Sequence, residues 1–107
     1  MEQSKRKNIK EPRKRKTKES RLVETTLRSQ FPRTDAYRYY PTSIRVRVVD
    51  SRFKGKSLVQ RESMVRPLVR TLPEEIQSGI TMLILLPPDE VKQSTVNLEF
   101  DNPTPIP

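Results

Sequence analysis

Residues 1–19 carry Ile9 as their single aliphatic side chain. A segment with so little to bury cannot offset the conformational entropy of ordering its backbone. In a chain of 107 residues this leaves at most one hydrophobic core, near the size at which a core becomes marginal. Across the whole chain 32% of residues are hydrophobic, 33% are charged and ten are proline, so one small domain flanked by polar chain is expected. The composition predicts a disordered basic tail over 1–19, a domain over 20–90 and an extended C-terminal tail over 91–107.

The formal net charge of +9 is unevenly spread: residues 1–20 hold nine basic and three acidic side chains, the remainder thirteen and ten. Lys5, Arg6 and Lys7, then Arg13, Lys14, Arg15 and Lys16, lie in this first fifth. Lysines and arginines on a flexible arm neutralise several phosphates and release counterions, which makes DNA or RNA the first expected partner. A nuclear-import signal, or a solvated arm that keeps the protein soluble, fits the same residues. A transit peptide does not fit, because Glu2, Glu11 and Glu19 are acidic.

The chain has no cysteine and no histidine, which excludes disulfides, thiol and imidazole chemistry, Cys/His zinc sites and iron–sulfur ligation by those side chains. No apolar run approaches the length needed to span a bilayer, and no signal-peptide core is visible. The expectation is a protein without membrane or cofactor, cytoplasmic, nucleoid-associated or, in a nucleated cell, nuclear.

From Ser20, a candidate N-cap, Leu22, Val23, Leu27 and Phe31 follow a helical period that Pro32 stops. Ala36 to Tyr40 and Ser43 to Asp50 read as strands joined at Pro41-Thr42, with Ile44, Val46 and Val48 alternating against Arg45 and Arg47. A turn around Gly55 precedes a second helix, opened by a Ser57/Gln60 capping box and carrying Leu58, Val65, Leu68, Val69 and Leu72, with a kink or break expected at Pro67. Pro73 to Gly79 reads as a short third helix and Ile80 to Leu86 as a strand buried on both faces. Beyond it, Asp89 to Gln93 fits one helical turn, and Val96 to Phe100 alternates as an edge strand or a docking peptide would. The predicted class is α+β, in the order αββααβ.

The stretch Ser43 to Glu90, above all Phe53-x-Gly55-Lys56-Ser57-Leu58-Val59-Gln60-Arg61 with Gly79-Ile80 opening the last strand, resembles the BolA family. The resemblance implies a class II KH-like αββααβ fold, a three-stranded mixed sheet packed with helices, and a non-enzymatic role. In the family that role is DNA binding or regulation, or partnership with monothiol glutaredoxins in iron–sulfur handling. Where the family pattern has histidines, this chain has Glu62 and Thr81, and its Tyr40–Ser43 hairpin is shorter than the family's loop. The resemblance therefore implies a glutaredoxin-type contact, if any, without cluster ligation by this chain.

Arg52, Lys54, Lys56 and Arg61 flank the Gly55 turn and the start of the second helix, where backbone N–H groups and the helix dipole favour phosphate. Arg38, Arg45 and Arg47 are expected to share a sheet face, with Tyr37, Tyr39 and Tyr40 stacking on bases if exposed or packing as half-buried strand residues otherwise. Glu74-Glu75 and Asp89-Glu90 each follow a proline at a helix start, where the dipole suits them without any metal. No nucleophile with a partnering base, P-loop or dinucleotide motif is present. The expected function is nucleic-acid binding by the tail and the Gly55 turn, with a protein-interaction adaptor or a component of a larger nucleoprotein particle as the alternatives.

Overall fold

A computed structural model describes residues 14–105. Lys5, Arg6, Lys7 and Arg13 lie outside the described residues. The elements are α1 (Lys18–Arg28), β1 (Thr34–Tyr40), β2 (Ser43–Val49), a 3-10 turn (Ser51–Phe53), α2 (Leu58–Val69), α3 (Glu74–Gly79), β3 (Ile80–Leu86), a second 3-10 turn (Pro88–Gln93) and α4 (Thr95–Asp101). The expected α+β class and αββααβ order are therefore observed, followed by one further helix.

Helix α1 starts earlier than its apolar period suggests. Thr17 is the N-cap, and the Ser20 hydroxyl oxygen, three residues on, accepts a hydrogen bond from the Thr17 N–H at 2.9 Å. This capping box makes Ser20 an interior residue rather than the cap. Val23 and Leu27 point into the core, while Leu22 is 40% exposed.

The sheet order is β1-β2-β3, with β2 antiparallel to β1 and parallel to β3. The parallel pairing requires a crossover, which α2 and α3 supply. Asp50 caps the turn that leaves β2, and Gly55 takes φ 76°, a left-handed conformation that costs glycine little. Ser57 and Gln60 form the expected capping box at 3.2 and 2.8 Å. Pro67 breaks nothing: α2 runs through it to Val69, and the bond it removes lies in the last turn. At Gly79 a Cβ would meet the Thr42 carbonyl at 3.3 Å, so glycine lets the hairpin close over the end of α3.

Alternation along the strands divides the side chains into two layers. Ala36, Ile44, Val46, Val48 and Leu85 face α1, α2 and α3 and form the main core with Val23, Leu27, Phe31, Phe53, Val65, Leu72 and Ile76. The opposite face carries a smaller cluster of Tyr37, Ile84 and Phe100, flanked by Tyr39, Met82 and Leu86. Phe100 belongs to α4, which corrects the expectation that Val96–Phe100 forms an edge strand within an extended tail. The buried positions of α4 are Asn97 and Phe100, spaced by three, and Ser94 caps the helix through the Asn97 N–H at 3.0 Å. Val96 and Leu98, which created the apparent alternation, are 47% and 62% exposed.

Among the described residues no helix is long and apolar enough to cross a membrane. None of them group as three or more His, Cys, Asp or Glu side chains able to hold a metal ion.

Candidate nucleic-acid interface

The fold gathers Arg52, Lys54, Lys56 and Arg61 at one end of the sheet, around the Gly55 turn, and compensates most of them from within. Arg52 grips Asp50 with two parallel bonds, Nε to Oδ1 at 2.8 Å and Nη2 to Oδ2 at 2.9 Å, donates to the Gln30 carbonyl at 2.6 Å and lies over the Phe31 ring. Lys54 pairs with Asp89. Arg61 donates to the Lys56 and Leu85 carbonyls, each at 2.9 Å, and forks onto Glu90 at 3.2 and 3.3 Å. Lys56 is exposed and, among the described residues, makes no side-chain bond. These partners differ in how readily an anion could replace them. The Lys54–Asp89 pair is exposed on both sides, and solvent screening leaves such pairs little net stabilisation. The Arg61 side chain is mostly buried and ties α2 to β3.

The pairs set an acid dependence. The Arg52 guanidinium holds the Asp50 carboxyl below its ordinary value, and the Lys54 ammonium does the same to Asp89. Thr104, through its N–H and hydroxyl, and then Arg45 hold Glu99 down. A carboxyl that titrates lower in the folded chain adds stability above its unfolded pKa, near 4, and loses it as pH falls through the folded value. Urea midpoints should accordingly stay level from neutrality to about pH 4 and drop below it. Asp50→Asn should flatten that acid limb, and an unchanged limb would show that the Arg52–Asp50 pair contributes nothing to it.

Arg45 and Arg47 share the second sheet face, as expected, but Arg38 does not. In the hairpin register Arg38 opposes Ile44, on the helix-facing layer, and reaches Glu19 of α1 at 3.2 Å. The Arg45/Arg47 face is covered by α4. Arg45 meets Glu99 at 3.1 Å and stacks on the Tyr39 ring at 3.6 Å. Arg47 bonds Asn97 at 2.8 Å, Asp101 at 2.7 Å and Asp35 at 3.2 Å, and its guanidinium lies over Phe100. Arg47 Nε is buried and unpartnered among the described residues. Tyr37 is buried, with its hydroxyl on the Phe100 carbonyl at 2.7 Å and its pKa raised by that burial. Tyr39 is taken by Arg45 and by the Thr104 carbonyl. Of the three tyrosines only Tyr40, 49% exposed, offers a ring to solvent.

Lys14, Arg15 and Lys16 of the basic segment seal the outer edge of β1. Arg15 pairs antiparallel with Arg38 through two backbone bonds of 3.3 and 2.7 Å. Lys16 bonds Glu24 and the Ala36 carbonyl, Glu24 accepts from the Ala36 N–H at 2.9 Å, and Arg28 Nε donates to the Thr34 carbonyl at 2.9 Å. Lys14 reaches the Asp101 carbonyl at 3.1 Å. The expected tail therefore ends inside the fold, and the Thr17-x-x-Ser20 pattern was the available signal. Sequence reasoning missed Arg21 on α1, and Arg66 and Arg70 on or beside α2, while Lys18, counted in the basic tail, lies on α1. All four are exposed and, among the described residues, free of ion pairs.

No family model, no curated protein and no solved structure matches this chain.

Proposed function

We propose that this chain is a non-enzymatic, BolA-like nucleic-acid-binding protein of regulatory type. In this reading the N-terminal basic segment supplies sequence-independent phosphate affinity, and the Gly55 turn supplies a local contact. The observation that carries it is the turn itself. Among the described residues Lys56 has no charged partner, beside a left-handed glycine at the start of a capped helix, and Lys54 pairs with an exposed carboxylate that a phosphate could displace. Arg52 stays on Asp50 and shapes the turn rather than binding. The basic segment joins the sheet beside Arg38, towards the hairpin, while Gly55 follows the other end of β2. A ligand touching both would span roughly 20 Å, from about 3.3 Å per strand residue.

The test is affinity for single-stranded and duplex DNA and RNA between about 50 and 200 mM salt. Lys54→Gln with Lys56→Gln is expected to weaken binding about tenfold at the higher salt, as loss of two phosphate contacts would. Deleting residues 1–13 should flatten the logarithmic salt slope by up to about four, since that slope scales as roughly −0.9 per neutralised phosphate and the segment holds five cations. Binding that ignores both changes would defeat the proposal.

A second reading, a protein-interaction adaptor of glutaredoxin-partner or other type without iron–sulfur ligands, is favoured by one observation. Leu58 and Val59, in the first turn of α2, are 59% and 71% exposed. A stoichiometric, nuclease-resistant complex lost on Leu58→Ser with Val59→Ser would support it, and a complex indifferent to those changes would not.

A further inference from the structure

The two edges of the sheet are treated differently, and the open one is apolar. At β1, the Thr34 carbonyl and the outward N–H and carbonyl of Ala36 and Arg38 are met by Arg28, Glu24, Lys16 or Arg15. At β3 the Leu86 carbonyl accepts from the Asp50 N–H at 2.9 Å, so the Leu86 backbone faces β2 and, by two-residue alternation, so do Ile84 and Met82. The backbone groups of Leu83 and Leu85 then point outward, and the register shift between Ile80 and Met82 ends the regular alternation before Thr81. The Leu85 carbonyl agrees, taking Arg61 Nη1 at 2.9 Å from outside the sheet. Among the described residues nothing else bonds these outward groups. The strand Ile80–Leu86 contains no charge, no proline and no glycine, so its own side chains do not keep this edge from pairing with another chain.

We infer that the outer edge of β3 pairs with β3 of a second copy of this chain, antiparallel about Leu83, to form a continuous six-stranded sheet across a two-fold axis. This interface is independent of the nucleic-acid reading. Leu83 lies opposite its own symmetry mate and exchanges both of its bonds with it, without disturbing Arg61 on Leu85, and Leu85 faces the register-shifted stretch around Thr81 of the second copy. Charge selects the occupant: an uncharged strand meets itself with no like-charge contact, whereas the polar, basic remainder of the chain would bring charge onto an apolar edge. The side chains suit it on both faces. Leu83 is only partly buried on the layer shared with Met64 and Leu68, and Met82 is partly buried on the other. Leu58 lies one turn before Arg61 on α2, exposed near the same edge.

The chain has no cysteine, so single cysteines report the register directly. In this arrangement the two Leu83 Cα atoms lie about 5.5 Å apart, within disulfide range, and the two Thr81 Cα atoms roughly 13 Å apart, from about 3.4 Å per residue over four residues. Mild oxidation of full-length Leu83→Cys is expected to yield mainly covalent dimer, and Thr81→Cys at least tenfold less. Wild-type protein should sediment as a dimer at high concentration. Thr81→Lys, at an exposed position, should weaken that association tenfold or more with the far-UV circular dichroism unchanged. Hydrogen exchange on the wild type gives a readout free of mutation: the Leu83 amide gains protection as concentration rises. A wild type monomeric up to about 1 mM, equal cross-linking at both cysteines, or a Leu83 amide that exchanges at the same rate at every concentration would overturn the inference.

Discussion

Phe53→Ala is expected to lower the free energy of unfolding by about 3–5 kcal/mol, the range for deleting a fully buried phenylalanine ring. Phe53 is wholly buried and stacks on Phe31 with centroids 5.8 Å apart and planes 14° apart. The loss is more than a cavity, because the Arg52 guanidinium lies over the outer side of the Phe31 pair and aligns Asp50, which caps the turn. Removing the ring should loosen the turn that presents Lys54 and Lys56, so nucleic-acid affinity should fall together with stability. Urea titration gives the first effect and binding to the folded fraction the second. A loss below about 1 kcal/mol would mean that the turn is held by Arg52 and Asp50 without the ring.

Phe100→Ala should cost about 3 kcal/mol, or a fall in Tm of roughly 12–24 °C for a domain of this size. The ring is buried between Tyr37, 4.8 Å away at 53°, and the Arg47 guanidinium, 4.6 Å away. It is the main apolar group by which α4 holds the second sheet face, since the other buried position, Asn97, is polar and bonds Arg47. With the ring gone, α4 should release and Arg45 and Arg47 should gain solvent. The chain contains three tyrosines and no tryptophan, so Tyr37 and Tyr39 should report that release in tyrosine emission and near-ultraviolet circular dichroism. Unchanged tyrosine signals would show that the Glu99 and Asp101 pairs suffice to seat the helix.

The parts of this fold that were legible in the sequence are those specified locally. Ile44, Val46 and Val48 alternate because one face of β2 is core. Ser57 and Gln60 announce α2 because a capping box closes within four residues. Gly79 and Pro87 bracket β3 because neither continues the element they bound. What was not legible depends on partners far away in the chain. Arg45 reaches Glu99 across 54 positions, Lys54 reaches Asp89 across 35 and Arg61 reaches Glu90 across 29. A count of local charge therefore reads as a basic site where the folded surface is largely compensated. Arg38 was assigned to the wrong face because strand parity cannot be transferred across a hairpin without its register, which shifts between Arg38 and Tyr40. Helix α4 was missed because its exposed Val96 and Leu98 alternate with a strand's period. The buried spacing of Asn97 and Phe100 acquires meaning only against Arg47 and Tyr37.

The antiparallel pairing of Arg15 with Arg38 also decides how the domain bears load. A pull on the N-terminal segment, as when that segment is bound to a long polymer and the domain to something else, reaches β1 before it reaches α1. It is resisted first by two backbone bonds and by the Lys16–Glu24 pair. These few contacts at the sheet margin should peel one after another at low force, while the core behind them stays closed. The segment can then lengthen under tension by a few residues, up to the Thr17 cap, without unfolding the domain that carries it.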